Sequence, residues 1–597
     1  MEGLSSSSSS FLQKYAHNHS LTPPPPLVLA LTISSAKTTD EKYVDTVSSS
    51  GIGSSTTPLT YNLTTSHKNR LKSDGEIKGR RKKSLLAIIF NSLDNLICDF
   101  LDPPLAPAFD PTHVLSGNFA PVEELPPTSC QVVQGSLPPS LTGAYIRNGP
   151  NPQFIPRGPY HLFDGDGMLH SLTISGGRAN FCSRFVHTYK YQLERDVGSP
   201  VILKVFSAFN GFRASMARCA LAFLWHISGH YDPTRGVGGA NTSLALIGGK
   251  LFALEESDLP YRLKLTPDGD VITLGRHESF GEPFMTMTAH PKIDAETGDA
   301  FAFRYSIRRP FLSYFRINSE GIKEQEVPIY SLSQPSLIHD FAITKNYAIF
   351  PDSQMVISPM EILKGRPPLR IDKGKVSRLG IIGRYAEDGE EMRWVEAPGL
   401  NLMHAANAWE EDGGDTIVMV GSDVAPVEHV LERIDLAQSS MERIEIDLKA
   451  KSVSRRKLSL TSLDFPVINP AYVAKKNRYV YAAVGAPMPK IGGVVKIDLS
   501  LSTTDAADCT VASRLYGPGC HGGEPFFVAR EPDNPAAEED DGYLVLYVHD
   551  ENIQESKFVV MDAKSPTLDI IAAVKLPQRT PNGFHGLFVS ENDLKHL

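Results

Sequence analysis

The amino-acid sequence predicts an all-β protein with the architecture of a β-propeller. From Thr142 onward, short apolar runs alternate with turn residues, as in residues 250–255, 261–265 and 271–274. Helical periodicity is scarce in this part of the chain, apart from residues 427–436. Many strands with regular turns are typical of a sandwich, a barrel or a propeller. The length of 597 residues and the spacing of four histidines favour the propeller, whose closed ring leaves few exposed sheet edges.

Four histidines have similar local settings, each beside a turn or a strand end: His290, His339, His404 and His585. The gaps between them are 49, 65 and 181 residues. A propeller blade takes roughly 40–50 residues, so the first two gaps correspond to about one blade each and the last to about three. Equivalent positions of repeated blades face one central axis. We therefore expect the four imidazoles to converge on one metal ion, whereas a single such histidine is more often an ordinary core residue.

The chemistry of this donor set limits the metal. Neutral imidazoles are nitrogen donors that suit iron, copper, zinc or nickel. A closed tetrahedral zinc site would be structural. An octahedral metal with four histidine ligands would keep two open positions, as dioxygen chemistry requires. The sequence has neither a phosphate-binding G-x-x-x-x-G-K-[ST] loop nor a G-x-S-x-G turn, so nucleotide hydrolysis and serine-esterase chemistry lack support.

Three carboxylates lie in apolar or glycine-rich stretches, where an unpaired charge would be costly: Glu256, Asp464 and Glu524. A metal-ligating histidine usually donates its second N–H to a carboxylate or a carbonyl. We therefore expect these side chains behind the imidazoles, with exposed loop acids as the alternative. The sequence leaves open which carboxylate supports which histidine.

Residues 1–83 have the composition of a leader that precedes the folded protein. Ser5–Ser10 is an unbroken serine run, Pro23–Pro26 is a proline run, and the first arginine is Arg70. This region holds 11 Lys+Arg against 6 Asp+Glu, whereas the rest of the chain holds 48 against 62. A serine-rich, acid-poor segment predicts a plastid transit peptide and disordered leader, with a plain disordered tail as the alternative. The acidic remainder argues against nucleic acid as a partner.

Residues 84–104 predict an amphipathic helix for membrane association. Ser84 is a suitable N-cap, and Pro103 and Pro104 end the helix. Apolar residues recur at steps of three and four, at Leu85, Ile89, Leu93, Leu96 and Phe100. With the basic residues 78–83 before it, this helix could anchor at a membrane surface, or it could simply dock on the protein. The apolar stretch Cys219–Ile227 could belong to the same face or form a buried helix. No segment has 18 uninterrupted apolar residues, so no membrane span is expected.

Residues 107–597 resemble the carotenoid cleavage oxygenase family. The resemblance is carried by the four histidine segments and by the motifs Tyr145–Pro152, His161–His170, Glu256–Tyr261 and Tyr516–Gly519. Asn407–Trp409, Asp464-Phe465 and Ile468–Pro470 are most similar to the plant plastid branch called carotenoid cleavage dioxygenase 4.

The resemblance implies a seven-bladed β-propeller with a helical cap over the metal face, preceded by the disordered leader. It implies one Fe(II) per chain, held by His290, His339, His404 and His585. The family places three glutamates behind three of the imidazoles, and Glu256 and Glu524 match two of them. The third position falls on Asp464, which is one methylene shorter. Its hydrogen bond is therefore expected to be bridged by water or made by an adjusted backbone.

The implied reaction is cleavage of a carotenoid or apocarotenoid with O2 at the 9,10 and/or 9′,10′ double bonds. Its products would be an apocarotenal and a C13 ketone such as β-ionone. The implied location is the plastid, peripheral on the thylakoid or the plastoglobule. Two alternatives share the scaffold: an isomerohydrolase that does not consume O2, and a metal-free carotenoid-binding propeller.

Overall fold

The computed structural model describes residues 85–283, 285–503 and 507–597. The predicted transit peptide and leader at residues 1–83, and the predicted N-cap Ser84, lie outside the described residues. Within these ranges the α-helices are Leu85–Phe100 (α1), Pro111–Val114 (α2), Tyr189–Val197 (α3), Phe212–Ile227 (α4), His429–Glu432 (α5) and Glu591–Leu594 (α6). None of these described helices is long and apolar enough to cross a bilayer.

Four blades are separate, four-stranded antiparallel sheets. Blade 2 consists of Ser243–Ile247, Lys250–Leu254, Tyr261–Leu265 and Val271–Arg276. Blade 3 consists of Lys292–Ile293, Ala300–Tyr305, Leu312–Ile317 and Val327–Ile329. Blade 4 consists of Ala342–Ile343, Tyr347–Asp352, Arg378–Gly383 and Arg393–Glu396. Blade 5 consists of Leu402–Glu411, Thr416–Ala425, Gln438–Asp447 and Ser452–Lys457.

Three further blades belong to one continuous 15-stranded sheet. Blade 6 consists of Leu463–Val467, Tyr479–Gly485, Ile491–Asp498 and Thr510–Leu515. Blade 7 consists of Phe526–Ala529, Gly542–Asp550, Glu555–Asp562 and Ile570–Lys575. Blade 1 consists of Gly586–Ser590, Gly143–Arg147, Asp166–Ser175 and Arg178–Phe185. Shorter strands are Pro150–Asn151, Ser279–Phe280, Glu282–Pro283, Met355–Ile357 and Leu369–Ile371.

Two strands join these three blades into one sheet. Leu125–Gly135 pairs through its second half with Ile570–Lys575 of blade 7 and through its first half with blade 1. Cys520–Gly522 bridges blades 6 and 7. The ring closes in blade 1, where the C-terminal strand Gly586–Ser590 pairs with Gly143–Arg147 from the start of the propeller. This pairing removes the two sheet edges that an open array would expose.

The core lies between the blades rather than at one centre. A cluster of buried apolar side chains fills the space between each pair of neighbouring blades around the ring. In blade 2, Leu251 and Ala253 face blade 1, whereas Phe252 and Leu254 face blade 3. Successive residues of a strand point to opposite faces, so a blade with two covered faces needs apolar side chains at every position. The predicted seven-bladed all-β fold is confirmed.

The helical cap comes mainly from a segment between blades 1 and 2. This segment carries α3 and α4, and its residues 203–206 line the cavity that also contains the histidines. Helix α1 packs on α4, with the ring centroids of Phe90 and Trp225 4.3 Å apart. The predicted helix at residues 84–104 is observed as Leu85–Phe100. The helical pattern near residues 427–436 is only the single turn of α5, followed by a 3-10 turn.

Candidate metal centre

The four predicted histidines occupy equivalent places in four blades. His290 and His339 precede the first strands of blades 3 and 4, His404 lies near the start of the first strand of blade 5, and His585 directly precedes Gly586–Ser590 of blade 1. The spacing therefore counts blades correctly: two steps of one blade are followed by one step of three. Because the first strands surround the axis, their starting residues meet at one end of it.

The imidazoles form one compact cluster. One ligand nitrogen from each ring can be chosen so that all four lie within 4.8 Å of one another. The Nε2 atoms of His290 and His339 are 3.2 Å apart. The Nε2 atom of His404 is buried and has no hydrogen-bond partner among the described residues. A buried polar atom without a partner is costly, and metal ligation is an interaction that would satisfy it.

Three of the four imidazole rings each have their own carboxylate partner on the side away from the cluster. The Nδ1 atom of His339 lies 2.5 Å from Oε1 of Glu256, which follows the second strand of blade 2. The corresponding distances are 2.8 Å from His404 to Asp464 and 2.8 Å from His585 to Glu524. Since each carboxylate accepts a hydrogen bond from Nδ1–H, it directs the Nε2 lone pair of its ring toward the cluster.

Asp464 reaches His404 directly despite its short side chain. Its Oδ1 also accepts hydrogen bonds from Ser422 Oγ at 2.6 Å and from the backbone N–H of Phe465 at 2.8 Å. Phe465 has a positive φ of 50°, and the pairing register of the strand shifts between Asp464 and Val467. The adjusted backbone therefore carries the carboxylate to the imidazole, and no bridging water is needed.

Burial and mutual repulsion disfavour protonation of two imidazoles of the cluster, those of His290 and His404. Burial, together with the neighbouring His339, His585 and His404, holds the pKa of His290 well below its ordinary value. Burial also lowers the pKa of His404, although the Asp464 carboxylate opposes this shift. For His339, burial is outweighed by the Glu256 carboxylate, which raises the pKa. Neutral imidazole is the form that binds metal, so the low pKa values of His290 and His404 suit this role.

An apolar cavity of about 480 Å³ adjoins the histidines. Its lining includes Phe163, Phe206, Met403, Phe465 and Phe584, and the Phe465 ring packs against His404 and His585. Such a lining suits a long hydrocarbon ligand and restricts water near the cluster.

Sequence reasoning missed several polar residues that hold the site. The Tyr305 hydroxyl donates to Glu256 Oε2 at 2.9 Å. The Lys292 ammonium lies 2.7 Å from Asp340 Oδ1, and Asp340 also accepts a hydrogen bond from the backbone N–H of Ala405. This pair links the segments that carry His290, His339 and His404. A signal was present, because Lys292 and Asp340 are charged residues next to predicted ligands in apolar stretches.

The sequence of the chain matches one family model and several plant dioxygenases. The family model described as "Retinal pigment epithelial membrane protein" matches residues 119–590. The chain is 56% identical over 524 residues to an Arabidopsis thaliana protein named probable carotenoid cleavage dioxygenase 4, chloroplastic, covering 87% of this chain and 88% of that protein. It is 54% identical over 521 residues to a chloroplastic 9-cis-epoxycarotenoid dioxygenase of Oryza sativa subsp. japonica, covering 86% and 81%.

A more distant relative is the carotenoid 9,10(9′,10′)-cleavage dioxygenase 1 of Phaseolus vulgaris, which is 37% identical over 85% of this chain and 94% of that protein. Among solved structures, Pseudomonas brassicacearum lignostilbene dioxygenase has a TM-score of 0.68 at 23% identity and covers 82% of this chain and 100% of its own. Cobalt-substituted Synechocystis ACO has a TM-score of 0.66 at 25% identity and covers 81% and 99%. These matches confirm the predicted resemblance: the chain belongs to the carotenoid cleavage oxygenase family.

Proposed function

We propose that the protein is a non-haem Fe(II) dioxygenase that cleaves a conjugated double bond of a carotenoid or apocarotenoid with O2. The observation that carries this proposal is the cluster of four imidazoles, three of them oriented by carboxylates, beside an apolar cavity. The names of the relatives support the substrate class and the reaction type.

The donor set fits Fe(II) held by His290, His339, His404 and His585. Imidazole nitrogen suits iron, and a six-coordinate ion with these four ligands would keep positions open for O2. The unpartnered Nε2 of His404 and the orienting carboxylates Glu256, Asp464 and Glu524 fit this assignment. A related protein, Synechocystis ACO, has been solved in a cobalt-substituted form, which supports a metal at this place.

The residues of the chain have separate tasks in the reaction. The four histidines would hold the metal, which would supply the capacity to activate O2. Glu256, Asp464 and Glu524 accept hydrogen bonds from Nδ1–H of their histidines. These bonds keep the proton on Nδ1, so that each Nε2 stays available as a ligand. The walls of the cavity hold the polyene beside the metal and exclude water, which positions one double bond for attack. No residue needs to act as a general acid or base.

We propose the 9,10 and/or 9′,10′ bonds as the cleavage site, with a C13 ketone such as β-ionone and an apocarotenal as products. The Phaseolus vulgaris relative is named for cleavage at these bonds, and its sequence aligns with most of this chain. The length of cavity available on each side of the metal would set the bond that is cut, because it fixes how far each end of the substrate can extend. Product analysis with β-carotene, zeaxanthin and an apo-8′-carotenal tests this assignment.

We further propose that the protein works in the plastid, at the surface of the thylakoid or the plastoglobule. The Arabidopsis and rice relatives are named chloroplastic. Helix α1 buries Ala87, Phe90 and Ile97 but exposes the opposite apolar residues, among them Leu96 at 51% and Phe100 at 77%. Helix α4, packed beside it, exposes Leu224 and Ile227. Exposed apolar side chains on two adjoining helices support shallow insertion into a lipid surface.

The test combines metal analysis, oxygen uptake and product analysis on the wild type and on His404→Ala. We expect one iron per chain in the wild type and O2 uptake that matches the carotenoid cleaved. His404→Ala should lose iron and activity and keep its fold, judged by circular dichroism. The matched control is His596→Ala, because His596 is exposed near the C-terminus.

Each contrary outcome identifies a different error. Iron without O2 uptake would indicate an isomerohydrolase, and carotenoid binding without iron would indicate a carrier. Cleavage at the wild-type rate by His404→Ala would show that the metal ligands are misassigned.

A further inference from the structure

Lys204 lies where two cavities of the protein meet. It belongs to the segment between α3 and α4, and with Leu203 it lines both the main cavity and a second cavity of about 250 Å³. The second cavity lies beneath α1 and α4, where Phe90 and Trp225 form part of its wall. Lys204 therefore marks a boundary of the space that contains the metal cluster.

The ammonium group of Lys204 lacks a polar partner. Its Nζ lies 4.8 Å from the ring centroid of Tyr160, and no described residue accepts a hydrogen bond from it or forms an ion pair with it. Lys190, which also lines the main cavity, is different: its Nζ lies 2.6 Å from Asp166 and 3.1 Å from Glu194. An ammonium has three N–H donors, and leaving them unpaired away from water is costly.

Asp164, the acid with the largest electrostatic effect on Lys204, forms no ion pair with it. Asp164 Oδ2 accepts hydrogen bonds from Ser207 Oγ at 2.5 Å and from the backbone N–H of His161 at 3.2 Å. Burial lowers the pKa of Lys204, although the carboxylate of Asp164 opposes the shift. Among the described residues nothing accepts a hydrogen bond from this amine, so an acceptor must come from water or from a ligand in the cavity.

Building on the proposed function, we propose that Lys204 donates a hydrogen bond to the oxygen of an oxygenated substrate end group. This oxygen is either the ring hydroxyl of a xanthophyll or the carbonyl of an apocarotenal. The polyene itself has no acceptor, and in these substrates the oxygen is carried by the end groups. A hydrocarbon carotene would cover the ammonium without pairing it, so Lys204 makes the protein selective for oxygenated carotenoids.

The same contact also fixes the direction in which an asymmetric substrate binds. In a carotenoid with one hydroxylated and one unsubstituted ring, only the hydroxylated ring can pair with Lys204. The metal then lies beside one half of the polyene rather than the other. Lys204 is a positioning residue in this sense, because it acts on the end of the substrate and not on the reacting bond.

The first test compares Lys204→Met with the wild type on zeaxanthin, β-apo-8′-carotenal and β-carotene. Methionine keeps an unbranched chain of similar length and removes the donors. We expect the ratio of kcat/KM for the oxygenated substrate over β-carotene to fall about tenfold, as for the loss of one hydrogen bond from a charged donor. Lys204→Arg should restore part of the preference. The matched control is Lys449→Met, because Lys449 is exposed and its ammonium pairs with the exposed Asp415.

The second test is an internal competition within β-cryptoxanthin, which has one hydroxylated ring. The wild type should release the hydroxylated and the unsubstituted short product in unequal amounts, and Lys204→Met should make them nearly equal. A purely structural role for Lys204 would lower the overall rate without changing this ratio. In the first test, a change in the kcat/KM ratio with zeaxanthin alone assigns the acceptor as a hydroxyl, and a change with the apocarotenal alone assigns it as a carbonyl.

Unchanged substrate and product ratios in Lys204→Met would overturn the inference. Absence of cleavage by the wild type would overturn the proposed function instead. In that case, the affinity for the same three ligands, measured by the quenching of tryptophan fluorescence, still tests Lys204. An equal binding preference in wild type and Lys204→Met would then refute its role.

Discussion

Replacing Asp464 by asparagine would remove one negative charge from behind His404 while keeping the size of the side chain. Asp464 Oδ1 accepts three hydrogen bonds, from His404 Nδ1 at 2.8 Å, Ser422 Oγ at 2.6 Å and the backbone N–H of Phe465 at 2.8 Å. An asparagine oxygen has two lone pairs, so it can keep the bond from His404 together with one of the other two. Its NH2 group would face Ser439 Oγ, 3.4 Å from the present Oδ2, and a hydroxyl can accept this donor.

The expected effect is therefore the loss of charge assistance to His404. A hydrogen bond to a charged group contributes roughly 1.5–3 kcal/mol, and one between neutral groups roughly 0.5–1.5 kcal/mol. The difference of about 1–1.5 kcal/mol corresponds to metal binding about tenfold weaker. This lies at the lower end of the 10–100-fold losses that are typical when the partner of a ligating histidine is changed.

The assay is an anaerobic titration of the metal-free protein with Fe(II) in competition with a chelator. Asp435→Asn is the matched control, because Asp435 is exposed and pairs with the exposed Arg433. Thermal melting of the metal-free proteins separates a loss of affinity from a loss of fold. If Asp464→Asn competes with the chelator as well as the wild type does, the carboxylate does not support a metal ligand.

Three further predictions concern the scaffold and its surface. Arg384→Met should lower the free energy of unfolding by about 3–5 kcal/mol, because it leaves the buried carboxylate of Asp294 without the guanidinium that pairs with it. Burial raises the pKa of Asp294, but its hydrogen bonds and nearby charges outweigh burial and bring the pKa below its ordinary value. The largest of these lowering contributions is the hydrogen bond from Arg384. The stability from this pair should therefore be lost as the pH falls below about 4 in the wild type. The loss of stability over this pH range should be smaller in Arg384→Met, in which only the backbone N–H groups of Glu296 and Thr297 still favour the charged Asp294. Gly365→Ala should cost about 2 kcal/mol or more in chemical denaturation, since φ is 71° and the new Cβ would lie 2.1 Å from the backbone N of Phe212. Phe100→Asp should weaken binding to anionic vesicles about tenfold or more in sedimentation assays without affecting folding, because this side chain is 77% exposed.

Each of these predictions has a contrary outcome. Equal acid sensitivity in the wild type and Arg384→Met would show that this ion pair does not stabilise the fold. A Gly365→Ala variant as stable as the wild type would mean that the start of α4 can move away. Unchanged vesicle binding by Phe100→Asp, with weakened binding after a change on α4 such as Ile227→Asp, would assign the lipid contact to α4 alone.

The sequence by itself predicted which four histidines come together and how many blades separate them. His290, His339, His404 and His585 recur at blade-sized intervals, and this information lies in residue identity and spacing along the chain. The alternation of apolar runs and turns likewise predicted the all-β fold, because the two-residue period of a strand is local. The motifs of the family can likewise be recognised from residue identity alone, because they are short and continuous in sequence.

The tertiary structure alone decided which groups support one another. Glu256 pairs with His339, 83 residues away and two blades further along the ring, and not with His290 in the neighbouring blade. The direct bond from His404 to Asp464 depends on the positive φ of Phe465. The position of Lys204 between two cavities depends on how the helical cap covers the propeller. These relations arise when the ring closes, since closure brings together residues whose separation along the chain carries no record of their distance in space.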